Sequence, residues 1–176
     1  MSQQDKIWSR YSRDKVDIGE TLARVLRTLS KALPLNRPLR ALSVGSSTEP
    51  QFRILEANFS GGLYLLDIER PALQVIRERI RRQSLTHVFT LRHDYTKVFL
   101  DRDATRRFLQ TELGGKRLDL IAFEHSLYYC PADQWRSVLS NVFDILLAKR
   151  GAIHCVLMSS SAATTATTSW LYNHFA

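Results

Sequence analysis

Short apolar runs alternate along the chain with longer stretches in which apolar residues recur at every third or fourth position, the spacing of one helix face. From Asp17 onward, Ile18, Leu22, Val25, Leu26, Leu29 and Leu33 fall on such a face, with Asp17 suited as N-cap and Pro34 as the stop. A first strand is expected over 39–44. It ends abruptly at Gly45 and the polar Ser46-Ser47-Thr48, after which Phe52, Leu55 and Phe59 return to helical spacing. Gly61-Gly62 break the chain ahead of a second apolar run, 63–66, which closes on Asp67. Pro71 suits a first helical turn, and Leu73, Ile76 and Ile80 carry that helix to Arg82. A third strand, 88–91, runs into His93-Asp94-Tyr95. Residues 105–113 read as a helix stopped by Gly114-Gly115, and 118–123 as the fourth strand. The stretch 133–147 places Trp135, Val138, Leu139, Val142 and Phe143 on one helix face. Residues 152–158 follow as a fifth strand, apolar enough for a buried parallel position.

Strands and helices alternating in this order predict an α/β fold built on a doubly wound, mainly parallel five-stranded sheet. The expected divisions are an N-terminal helical cap (1–38), a core (39–158) and a helical tail (159–176). Ligands of such sheets bind beyond the carboxyl ends of the strands. Gly45, Asp67, Asp94 and His125 follow the first to fourth strands in turn, so all four are expected to face one crevice. Gly45 stands 22 positions before Asp67, near the roughly 20 that separate a nucleotide-binding loop from its ribose carboxylate. Asp67 can accept from both ribose hydroxyls, and Asp94 from an exocyclic amine such as that of adenine. Either carboxylate also suits a helix N-cap or a turn.

At 176 residues one domain with one sizeable core is expected, and 44% hydrophobic with 24% charged residues excludes a disordered chain. No apolar run approaches 18 residues and 1–12 is polar, so neither a membrane span nor a secretory leader is expected, and the protein is placed in the cytoplasm. Cys130 and Cys155 make neither a disulfide framework nor a ligand set. With His87, His93 and His154 they lack metal-ligand spacing, and no metal is expected. The net charge of +8, from 25 basic and 17 acidic residues, favours acidic partners. Arg77, Arg79, Arg81 and Arg82 crowd one helix, but no nucleic-acid motif accompanies them. Solvated helix faces are the preferred reading, and nucleic acid the less favoured partner.

The loop after the first strand discriminates between nucleotides. A dinucleotide brings its pyrophosphate against the helix start, where glycine lets the backbone approach. Ser46 and Ser47 occupy that approach, and Glu49 would set a carboxylate beside the phosphates, a repulsion of about 1 to 4 kcal/mol at 4 Å. A ligand with adenosine, a cationic sulfur and no phosphate avoids it, as S-adenosylmethionine does.

The segments ALSVGSSTEP, LYLLDIERPAL, HDY, LDLIAFEHSLYY and LLAKRGAIHCVLM, in this order, resemble the motif series of class I S-adenosylmethionine-dependent methyltransferases. The likeness spans 39–158. Where that family's loop reads acid-x-Gly-x-Gly-x-Gly, this chain has Ser43, Gly45, Ser47 and Glu49, keeping one glycine and losing the acid. LSVG and HSLYY are similar to small-molecule N-methyltransferases of the histamine type. The resemblance implies that Gly45, Ser46 and Ser47 pass under the methionine part of the cofactor. It implies Asp67 on the ribose, Ile68 against the adenine face, and Asp94 with Tyr95 at the adenine edge. Trp8 and Tyr11 resemble an aromatic pair that closes over the cofactor. His125 would lie beside the methyl donor as candidate general base, with a wall residue that only orients the acceptor as the alternative. Tyr128 and Tyr129 suit stacking on a small-molecule acceptor, or a place in the core. The competing readings are a non-catalytic cofactor-binding module and a nucleic-acid-associated protein. The family's sheet has seven strands. Residues 159–176 supply no strand pair, so the C-terminal strands are expected to be missing and the fifth strand to lie at an edge. A longer protein, or a homodimer that covers this edge, is the expected remedy.

Overall fold

The computed structural model describes residues 14–33, 36–45 and 50–157. Its elements in order are α1 (Asp14–Leu29), β1 (Arg40–Val44), α2 (Pro50–Asn58), β2 (Gly62–Asp67), α3 (Arg70–Gln83), β3 (Val88–Arg92), α4 (Tyr95–Phe99), α5 (Arg102–Thr111), β4 (Leu118–Glu124), α6 (Trp135–Asn141) and β5 (Leu147–Val156). The five strands are parallel and ordered β3-β2-β1-β4-β5. This is the doubly wound sheet that the alternation of elements implies.

Burial follows position in the sheet. Every residue of β1 and of β4 is buried, because each has strands on both sides and helices on both faces. One face carries Ala41, Leu63, Leu65 and Leu120 under Leu22 and Leu26 of α1, Phe52, Leu55 and Phe59 beside α2, and Leu73 and Ile76 of α3. The other carries Leu42, Val44, Ile121 and Phe123 against Tyr95, Phe99, Phe108 and Val138 from α4, α5 and α6. Leu and Phe dominate both layers, and side chains this completely buried each contribute about 1.5 to 3 kcal/mol.

The ends of several elements differ from the periodicity. α1 stops at Leu29 and a turn carries the chain on, while Leu33 remains buried. α5 starts at Arg102 because the Asp101 side chain caps it, accepting from the Ala104 N–H at 2.6 Å. The helix expected over 133–147 is α-helical only through Asn141. Val142–Leu146 then widen into a single π turn. β5 begins at Leu147, earlier than 152, and pairs with β4 across an irregularity between Leu118 and Leu120. Its apolar run suits a buried position, yet only Leu147 is buried. Among the described residues β5 has a neighbour on its β4 side alone, so its faces stay partly open.

The amino edge of the sheet is tied by buried polar groups. Asp119 is 1% exposed. It accepts two hydrogen bonds from the Arg37 guanidinium, at 2.6 and 2.9 Å, and a third from the Arg40 N–H at 2.9 Å. The Arg40 side chain donates to the carbonyls of Lys116 and Leu113 and to the Tyr64 hydroxyl. Each buried polar group here has its partner.

Candidate functional site

Gly45 leaves β1 at φ +79°, a left-handed conformation that L side chains adopt at a penalty. A Cβ at this position would fall 2.8 Å from the Glu124 carbonyl oxygen and 2.9 Å from the Ser126 Cβ. The Gly45 N–H donates to the Leu66 carbonyl at 3.0 Å, fixing the start of the loop between the ends of β2 and β4. β1 is also where the winding reverses, with β2 on one side and β4 on the other. Sheets of this kind open their ligand crevice at that switch point. Ser46, Ser47 and Tyr11, with Trp8 and Glu49, lie outside the described residues.

Asp67 ends β2, and its Oδ1 accepts from the Glu69 N–H at 2.8 Å, a tight turn that sets the carboxylate at the strand end. Beside it, Ile68 is 54% exposed, an apolar surface at the same edge. Asp94 is the N-cap of α4. One oxygen accepts from the Thr96 N–H at 3.1 Å and the Thr96 hydroxyl at 2.7 Å, and the other lies 3.9 Å from the Lys97 ammonium. Of the two roles open to Asp94, the cap is thus made within the chain. The Tyr95 ring is core, packed against Phe99 and Phe123, so the expectation of a side chain bracketing an adenine edge does not match its burial. Its hydroxyl donates to the Ser126 carbonyl at 2.8 Å and pins the turn after β4. Burial foremost, then the Cys130 thiol and Asp94, pushes this phenol well above its ordinary range, so it remains a donor.

His125 follows β4 at φ +51°, a left-handed backbone state uncommon for residues other than glycine. Its N–H donates to the Val156 carbonyl at 3.1 Å, which locks the kink to the end of β5. The His125 ring stands 6.4 Å from the Tyr128 ring, and Tyr128 and Tyr129 lie 4.9 Å apart. Both tyrosines are exposed, Tyr129 at 75%, so of their two readings the core is excluded.

The sequence pattern assigned no site role to Glu124, Gln51, Ser126 or His154. Glu124 is the last residue of β4 and is buried, with both carboxylate oxygens lacking a hydrogen-bond partner. His154 Nδ1, from β5, lies 3.6 Å from Glu124 Oε1 and is also without a hydrogen-bond partner. The Ser126 hydroxyl and the Gln51 Oε1 complete the set of such atoms among the described residues. The one signal in the sequence was an acidic residue closing an apolar strand. Among the described residues no group of three or more His, Cys, Asp or Glu side chains is arranged to hold a metal, and no helix is long and apolar enough to cross a membrane.

No family model and no curated protein matches the sequence. Solved structures share its fold. The CurJ carbon methyltransferase superposes on 96% of this chain and 41% of its own, with a TM-score of 0.63 at 17% identity. An S-adenosylmethionine-dependent methyltransferase from Clostridium acetobutylicum ATCC 824 covers 78% of this chain and 48% of its own, with a TM-score of 0.58 at 15% identity. Coclaurine N-methyltransferase, bound to N-methylheliamine and S-adenosylhomocysteine, covers 78% of this chain and 35% of its own, with a TM-score of 0.54 at 12% identity. This chain spans less than half the length of each. At these identities the likeness is one of fold, the Rossmann-like fold of class I S-adenosylmethionine-dependent methyltransferases.

Proposed function

We propose that the protein binds S-adenosyl-L-methionine along the carboxyl edge of the sheet and transfers its methyl group to a small-molecule acceptor. The observation that carries this reading is the Gly45 turn. It leaves the central strand at the switch point, in a left-handed conformation, against a carbonyl so close that no side chain fits. That packing holds the start of the loop against the end of β4, at the switch point where sheets of this kind take a nucleotide-type ligand. Asp67 and Ile68 stand on the neighbouring strand end as a carboxylate beside an exposed apolar surface, a pairing suited to ribose hydroxyls and an adenine face. Asp94 is the carboxylate proposed for the adenine edge, its cap leaving one oxygen near Lys97. Tyr95 supports that edge from the core rather than touching the ligand. Ser46, Ser47 and Tyr11 keep the roles that the resemblance implies.

When bound, the cofactor supplies a methyl group on a positively charged sulfur. The chain's own task is to hold the acceptor in line with it, an alignment worth up to about 7 to 11 kcal/mol. Tyr128 and Tyr129 offer exposed rings on which an aromatic or cationic acceptor can stack. His125, held beside them by its backbone kink, is the proposed base for an acceptor that must lose a proton.

Titration calorimetry with S-adenosylhomocysteine tests the cofactor. At a hundredfold excess over its dissociation constant the ligand should stabilise the protein by about 2.7 kcal/mol. The melting temperature should then rise by roughly 5 to 11 °C. Folded protein that shows neither heat nor a thermal shift at millimolar ligand sinks the assignment. Turnover with an acceptor panel then separates an enzyme from a binding module.

A further inference from the structure

All five buried polar side-chain atoms that lack a hydrogen-bond partner among the described residues belong to four residues near the carboxyl edge of the sheet. Glu124 ends β4, Ser126 follows two residues later, His154 faces Ala122 across the β4–β5 pairing, and Gln51 opens α2 directly after the Gly45 loop. The Glu124 and His154 side chains are only 5% and 10% exposed. Each unpartnered atom has less than 1 Å² open to solvent, so bulk water does not serve it. Native proteins rarely leave such groups unmatched, and a buried carboxylate is the most demanding of them.

The chemistry of the set identifies what it lacks. The two oxygens of an ionised Glu124 and the Gln51 Oε1 are acceptors only. The Ser126 hydroxyl and a neutral His154 Nδ1 can accept as well. A set in which acceptors outnumber donors, with a carboxylate among them, rejects an anion. A sulfonium brings positive charge but no N–H. A protonated amine brings both charge and up to three donors. We propose that Glu124, supported by His154, is the seat of an ammonium group carried by a ligand of this crevice. The seat rests on the cofactor reading above. Two ligands there could carry such a group: the cofactor through its amino-acid tail, or an amine acceptor.

Calorimetry on wild type and Glu124→Gln, which keeps the shape and removes the charge, tests the seat and separates the sources. The probes are S-adenosylhomocysteine, 5′-methylthioadenosine, which has the same nucleoside and thioether without the ammonium, and 2-phenylethylamine. If the cofactor's ammonium sits on Glu124, the variant binds S-adenosylhomocysteine roughly 10- to 100-fold more weakly and methylthioadenosine unchanged. If the acceptor's ammonium sits there, both nucleosides bind as in wild type and 2-phenylethylamine suffers the loss. His154→Asn should reproduce the same selectivity with a smaller loss, and Glu112→Gln, which touches His93 instead, should reproduce none of it. Wild type that binds S-adenosylhomocysteine, with a folded Glu124→Gln variant indistinguishable from it for all three probes, overturns the seat alone. Wild type that binds neither nucleoside overturns the cofactor reading and the seat with it.

Discussion

Asp119 and Glu124 are both buried carboxylates of β4, one near its amino end and one at its carboxyl end, and the chain treats them in opposite ways. Asp119 accepts three hydrogen bonds, two of them from a guanidinium whose parallel donors match its geometry. Glu124 accepts none, and its neighbour His154 stays beyond hydrogen-bond distance at 3.6 Å. The same strand and the same burial thus yield a finished interaction at one end and an open one at the other. Stability selects the first arrangement. The second lowers stability unless something outside the described residues completes it. In an open parallel sheet the carboxyl edge is where ligands sit, so the contrast separates a scaffold edge from a working edge.

Breaking the scaffold edge should have the largest effect. Asp119→Ala leaves the buried Arg40 N–H without its acceptor and removes the bidentate pair with Arg37. Urea unfolding should show a loss of about 2 to 4 kcal/mol, discounted because Arg37 itself is partly exposed. A change below about 1 kcal/mol would mean that the pair is no more than a surface contact. Asp67→Ala acts at the working edge. It should weaken S-adenosylhomocysteine by about 1.5 to 3 kcal/mol, with a smaller loss of stability from the Glu69 turn. Wild-type affinity in this variant would confine Asp67 to the turn. Glu124→Gln should move in the direction opposite to Asp119→Ala: without ligand, replacing a buried carboxylate that accepts no hydrogen bond should raise stability by about 1 kcal/mol. A clear loss in the same urea experiment would show that the carboxylate is paired in the free protein, and the contrast between the two ends would fall.

The scaffold was the more legible half in the sequence, and the reason is physical. β1, β2 and β4 are central strands covered on both faces, so each is written as a mostly apolar run with polar residues chiefly at its ends. Edge strands and short elements are not written so plainly. β5 starts five residues before the apolar run because exposed Lys149 and Arg150 belong to it, and α4 is too short to show helical periodicity. Gly45, Asp67, Asp94 and His125 could be singled out for the proposed site because each interrupts a pattern at a strand end. The family resemblance set Tyr95 at the adenine edge, whereas tertiary packing turns its ring into the core. Glu124 and His154 meet only through the β4–β5 register, and no local spacing announces a contact between residues 30 positions apart.

Asp94 is where scaffold and working edge overlap, and its asparagine variant carries the smallest predicted effect. Its Oδ1 caps α4 through the Thr96 N–H and hydroxyl, while its Oδ2 lies toward Lys97 at a distance that leaves it only weakly engaged. Capping asks for one oxygen acceptor, which an asparagine also provides. Accepting from an adenine amine asks for an acceptor facing the crevice, and an asparagine whose oxygen is spent on the cap can present only its NH₂ there. The two roles therefore separate in a pair of variants. Asp94→Ala should cost about 0.5 to 2 kcal/mol of stability, whatever the ligand does, because the cap is lost. Asp94→Asn should keep nearly all of that stability yet bind S-adenosylhomocysteine several-fold more weakly, since a donor would then face a donor. If the asparagine variant binds as wild type does, the cap is the whole role of Asp94, and the adenine edge is read by some other group.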